Sequence, residues 1–117
     1  MSYDLAVWEG DRPSTDGEAA KVFDQLYDEL IETDTATPPS PAIEDYVGAL
    51  LARWPDIGTD EGVDSPWATS SLIKNARGRL IYFAMTRSTD PRVVGEVAGF
   101  ATERGLVCFD PQKGTLL

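Results

Sequence analysis

The chain of 117 residues is 42% hydrophobic, enough for one domain over residues 1–117 that buries about two thirds of its unfolded surface. Twenty acids against ten bases give a formal net charge of −10, which repels nucleic-acid backbones and anionic membranes and excludes both as expected partners. The absence of histidine and the single cysteine exclude Ser-His-Asp and Cys-His catalysis, His-containing metal sites and an internal disulfide, and point to a reducing cytoplasm.

In chain order, Tyr3, Leu5 and Val7 alternate with Asp4, Ala6 and Trp8, the period of two of a first strand. This start lacks the basic residues of a signal peptide, and no apolar run approaches a membrane span. Thr15 and Glu18 have capping-box spacing, and Ala19, Phe23, Leu26, Tyr27, Leu30 and Ile31 fall on one face of the helix that follows. Pro38, Pro39 and Pro41 stop it. Ser40 before Pro41 opens a second helix, with Ile43, Val47, Leu50, Leu51 and Trp54 in one stripe.

Residues 55–66 form an acidic loop long enough to cross the molecule. Residues 67–73 and 78–86 read as a hairpin turned over 74–78, with 80–85, apolar at both parities, as a central strand. Asp90 as cap, Pro91 behind it, a row of Val93, Val97, Phe100 and Ala101, and Gly105 as stop predict a third helix. A short buried strand over 106–109, a turn over 111–114 and a return strand over 115–117 complete the chain.

The order strand, helix, helix, hairpin, helix, strand predicts an α+β fold, a ferredoxin-like βαββαβ sandwich with one extra helix, its single sheet packed by helices on one face. Two antiparallel helices return the chain to the end of the sheet it left. Either the 55–66 loop then crosses the molecule or the two helices form one broken crossover. If Tyr3, Leu5 and Val7 face the helices, Trp8 and Tyr82 lie on an open apolar face, which marks an interface for a homodimer or a partner. The alternative is coverage by the C-terminal tail and the 55–66 loop.

Charge is unevenly spread. Residues 1–66 carry sixteen acids against three bases, and residues 67–117 carry seven bases against four acids. Solvated helix faces are one explanation, and an acidic docking face for a cationic protein is the other. Asp24, Asp28, Glu29, Glu32, Glu44 and Asp45 are the candidate docking acids.

Other constellations carry less. Asp56, Asp60, Glu61 and Asp64 lack the acid and glycine spacing of an EF-hand. Lys74, Arg77 and Arg79 form the one basic cluster, a candidate anion site or an edge-protecting device, with no glycine-rich phosphate loop beside it. Gly95 and Gly99 permit close approach of a helix or the sheet. Cys108 reads as a small core residue. No cofactor or metal motif is present, no carboxylate pair stands out as catalytic, and a non-enzymatic role is expected.

The segments MSYDLAVWEG at 1–10, DSPWA at 64–68 and GLVCFDPQ at 105–112 together resemble a group of small, acidic bacterial proteins of unknown function. The resemblance supplies no catalytic residues, and its size and acidity imply likeness to immunity proteins that neutralise basic nuclease toxins. The first functional expectation is therefore an interaction module that docks a cationic protein on its acidic side. The second is a dimeric small-ligand-binding or regulatory module with Trp8, Trp67 and the Lys74 to Arg79 turn near a pocket.

Overall fold

The computed structural model describes residues 2–32, 37–56, 65–68, 71–86 and 89–117. It is an α+β protein in which β1 (Ser2–Trp8), α1 (Asp16–Leu26), α2 (Pro41–Arg53), β2 (Ala76–Arg77), β3 (Leu80–Thr86), α3 (Pro91–Glu103), β4 (Val107–Asp110) and β5 (Thr115–Leu116) follow one another. The five strands form one antiparallel sheet in the order β2-β3-β1-β4-β5. Central β1 pairs along its whole length with β3, from Ser2 opposite Thr86 to Trp8 opposite Leu80.

The helices start where their caps place them. The Thr15 hydroxyl accepts from the Glu18 amide at 3.1 Å, while the Glu18 carboxylate accepts from the Ser14 amide, one residue earlier than the simplest capping box. Ser40 and Asp90 cap α2 and α3, each with proline in the first turn. Gly105, at φ +70°, ends α3: its amide donates to Thr102 and that of Leu106 to Ala101, the paired bonds of a Schellman ending that needs a left-handed residue. A six-residue π-helical segment, Tyr27–Glu32, prolongs α1.

Strand parity sorts the core into two layers. Leu5, Val7, Ile81, Phe83, Met85 and Cys108 point to the side covered by α2 and α3. Ala6, Trp8, Leu80, Val107 and Phe109 point to the other, covered by Ala19 and Leu26 of α1. Helices therefore lie on both faces, which corrects the expected one-faced packing. The expected open face around Trp8 and Tyr82 is covered as well, by α1 and, as the tail alternative expected, by Leu116 near the C-terminus, while residues 57–64 of the 55–66 loop lie outside the described residues. Its cause is the apolar stripe of α1: Trp8 is 1% exposed against Phe109, and Tyr82 is half-buried edge-on to Phe23 and Tyr27.

The chain changes face at one end of the sheet. Around residues 37–40, the Ser40 amide donates to Gly78 O at 2.8 Å and the Gly78 amide to Thr37 O at 3.3 Å. Gly78 is left-handed at φ +56°, and a Cβ there would stand 3.3 Å from the Thr37 methyl. The strap and the hairpin turn thus share a space that suits glycine.

The expected strand over 67–73 is also corrected. Trp67 makes a single bridge to Met85, residues 72–75 form a 3₁₀ turn, and pairing resumes only at 76–77, so that the hairpin turns at Gly78 and Arg79. The Asp56 carboxylate accepts from the Leu72 amide at 2.9 Å, drawing that backbone out of the ladder.

Candidate functional site

The helix layers place the candidate docking acids on opposite sides of the sheet. Asp24 belongs to α1, and Asp28 and Glu29 to its π-helical extension, all three exposed; Glu44 and Asp45 lie exposed on α2. The Glu32 side chain lies outside the described residues. Asp45 accepts from Arg104 Nε at 3.0 Å, and Arg53–Glu96, Arg92–Asp90 and Arg104–Glu103 further pair charges on α2, α3 and their ends. Asp24 and Asp28 make no ion pair with a described residue. Residues 16–32 carry six acids against Lys21 alone, so α1 and its extension hold a local excess of acid, while Glu44 on α2 also makes no ion pair with a described residue.

The aromatic candidates separate in the same way. Trp8 packs under α1, whereas Trp67 is 1% exposed on the α2/α3 side, where its indole N–H donates to Trp54 O at 2.8 Å and its ring meets Trp54 and Phe83 edge-on. The two indoles share no pocket. The basic residues also diverge: Arg77 donates to the Lys74 and Ala76 carbonyls, and Arg79 reaches the Glu9 carbonyl at 3.1 Å. Lys74 and Arg77 border a shallow groove of about 400 Å³ with Pro38 and Pro39; Arg79 does not. Asp60, Glu61 and Asp64 lie outside the described residues, and Asp56 is engaged with Leu72.

Close approach of a helix or the sheet at Gly95 and Gly99 is corrected, since a Cβ at either would meet nothing within 4 Å. Cys108 is buried, and burial followed by the nearby Asp110 charge pushes its thiol up to about 12. It is protonated at neutral pH, without the thiolate that nucleophilic chemistry needs.

Asp110 escaped the sequence reading. Its carboxyl is the buried charged group among the described residues, at 0% exposure. One oxygen accepts the Tyr3 hydroxyl. The other accepts the Gln112 amide at 3.0 Å, Gln112 Nε2 at 2.6 Å and the Lys113 amide at 3.2 Å, and Gln112 Nε2 also reaches the Asp4 carbonyl. These donors offset the cost of burying the charge. The signal was legible in Asp110-Pro111-Gln112-Lys113-Gly114 after three apolar residues, since aspartate before proline builds a turn by accepting the amides two and three residues on. Burial together with the bond to Asp110 pushes the Tyr3 phenol up to about 12.

No family model, curated protein or solved structure matches the chain. Among the described residues no helix is long and apolar enough to cross a membrane.

Proposed function

We propose that the protein is a non-enzymatic interaction module whose α1 side docks a cationic protein, in the manner of an immunity protein capping a basic target. The carrying observation is the charge on α1 and its extension: residues 16–32 hold six acids against Lys21 alone, and Asp24 and Asp28 stand exposed with no ion pair to a described residue, whereas on the α2/α3 side Asp45, Asp90, Glu96 and Glu103 find arginines and only Glu44 among the candidate acids there does not. Unpaired exposed carboxylates steer a basic partner and are screened within a Debye length of about 8 Å at physiological salt. This reading includes a ferredoxin-like core, supported by the order β2-β3-β1-β4 with α2 and α3 on one face; α1 on the reverse face and β5 at the edge are additions to that plan.

Capture of partners from the native cell extract at low and high salt tests it. A basic protein should be retained at low salt and released at high salt. Neutralising Asp24, Asp28 and Glu29 together to Asn, Asn and Gln should abolish retention, and changing Glu44 and Asp45 should leave it intact. Retention that survives the α1 changes overturns the reading.

A further inference from the structure

On the α2/α3 side, at the sheet end where β1 begins, Tyr3, Val94, Gly95, Ala98, Lys113 and Leu117 border a cleft of about 600 Å³. That is the size of a small-molecule site. Its wall along α3 is low because Gly95 and Ala98 present little side chain, and no neighbour demands the glycine, since a Cβ there would meet open space. Glycine in a helix interior costs about 1 kcal/mol against alanine; what it leaves here is room.

One end of the cleft is polar and held firmly. Tyr3 commits its proton to the buried Asp110 carboxylate, which leaves the phenol oxygen as an acceptor only. Asp110 also takes the Lys113 amide, so the turn presenting Lys113 is anchored on a fully buried group. Asp110 itself is 0% exposed, and among the described residues bordering the cleft Lys113 has the charged side chain. Apart from Tyr3, the wall comes from residues 89–117, within the half of the chain that carries seven bases against four acids. An apolar trough ending in an ammonium donor complements a molecule with an apolar body and an anionic head.

We propose that this cleft binds an amphipathic monocarboxylate, its head on the Lys113 ammonium and its tail along α3 from Val94 to Ala98. The inference is independent of docking at α1, which lies across the sheet. The test titrates the full chain with octanoate and 1-octanol while following backbone amide NMR shifts. Octanoate should saturate, with shifts centred on 94–98 and 113–117, and 1-octanol should bind about two- to fivefold more weakly, the scale of one exposed ionic contact. Lys113→Gln should remove that difference by weakening octanoate alone. Gly95→Leu should block both probes without lowering the melting temperature, because leucine favours the helix and its Cβ meets no neighbour. Absence of saturation, equal binding of the two probes by the unaltered protein, shifts centred elsewhere, or binding that survives Gly95→Leu would each overturn the assignment.

Discussion

On the α2/α3 face Trp67, Phe83 and Tyr46 are almost wholly buried, and the Tyr46 hydroxyl donates to Val97 O at 2.9 Å to tie the two helices together. On the α1 face Phe23, Tyr27 and Tyr82 meet edge-on yet remain partly open to water. The first side is locked by close packing, a shared hydrogen bond and ion pairs; the second by one helix and a ring cluster, with Asp24 and Asp28 exposed and in no ion pair with a described residue. The closer packing and the exposed Asp24 and Asp28 charges lie on different sides of one sheet, so a partner can meet those charges without disturbing the larger core.

The sharpest way to break this comparison is to truncate one aromatic on each side. Trp67→Ala removes a buried ring and its hydrogen bond and should cost about 3–5 kcal/mol in chemical denaturation. Phe23→Ala removes a half-buried ring and should cost about 1–2 kcal/mol. Equal losses would mean that the α1 layer is as integral as its opposite. Amide exchange gives the same contrast without mutation, with α1 amides exchanging through a smaller opening than those of α2 and α3.

Alkaline titration probes both sides at once. Burial pushes Cys108 on the α2/α3 side from its ordinary 9 to about 12, and burial followed by the Asp4 charge pushes Tyr82 on the α1 side from 10 to about 12. Each raised value favours the protonated form in the folded state. The associated stability is therefore complete below about pH 9 and is lost as pH climbs towards 12. A melting temperature unchanged between pH 9 and 12 would contradict the burial of these groups, and thiol reagents at pH 8 should modify Cys108 only on unfolding.

The smallest effects sharpen the electrostatic half. Asp45→Asn breaks the bond to Arg104, a partly buried guanidinium, and should cost about 0.5 kcal/mol. Asp24→Asn and Asp28→Asn should each change stability by less than that, because neither pairs with a described residue. A larger loss from the α1 pair would reveal a structural role for those acids.

Much of the local structure was legible because its cause lies within a few residues. Thr15 with Glu18, Ser40 with Pro41, and Asp90 with Pro91 and Gly105 carry their helix ends in their own chemistry. What escaped depends on distant partners. The stripe from Ala19 to Ile31 says that α1 buries one side, and says nothing of which sheet face receives it. Leu72 and Ile73 have strand-like side chains, but the Asp56 carboxylate, sixteen residues earlier, takes the Leu72 amide and turns the segment. Tyr46 was passed over in the second stripe although its ring is wholly buried, because its hydroxyl finds Val97 on another helix. The acids could be counted along the chain, but their division between two sides follows from the strap at 37–40.

The central place of β1 bears on how the chain comes into being. Its hydrogen-bonding neighbours are β3, where Ser2 meets Thr86, and β4, where Ala6 meets Phe109, roughly eighty and a hundred residues away. During synthesis the first strand emerges with neither neighbour, and Ala6, Val7 and Trp8, all buried in the finished fold, must wait in water or in the care of a chaperone. Closing such long loops is entropically costly and slow. The nascent chain can therefore form its capped helices early, but its sheet only late, and ribosome-bound chains ending before residue 80 should remain sensitive to protease where released full-length protein is not.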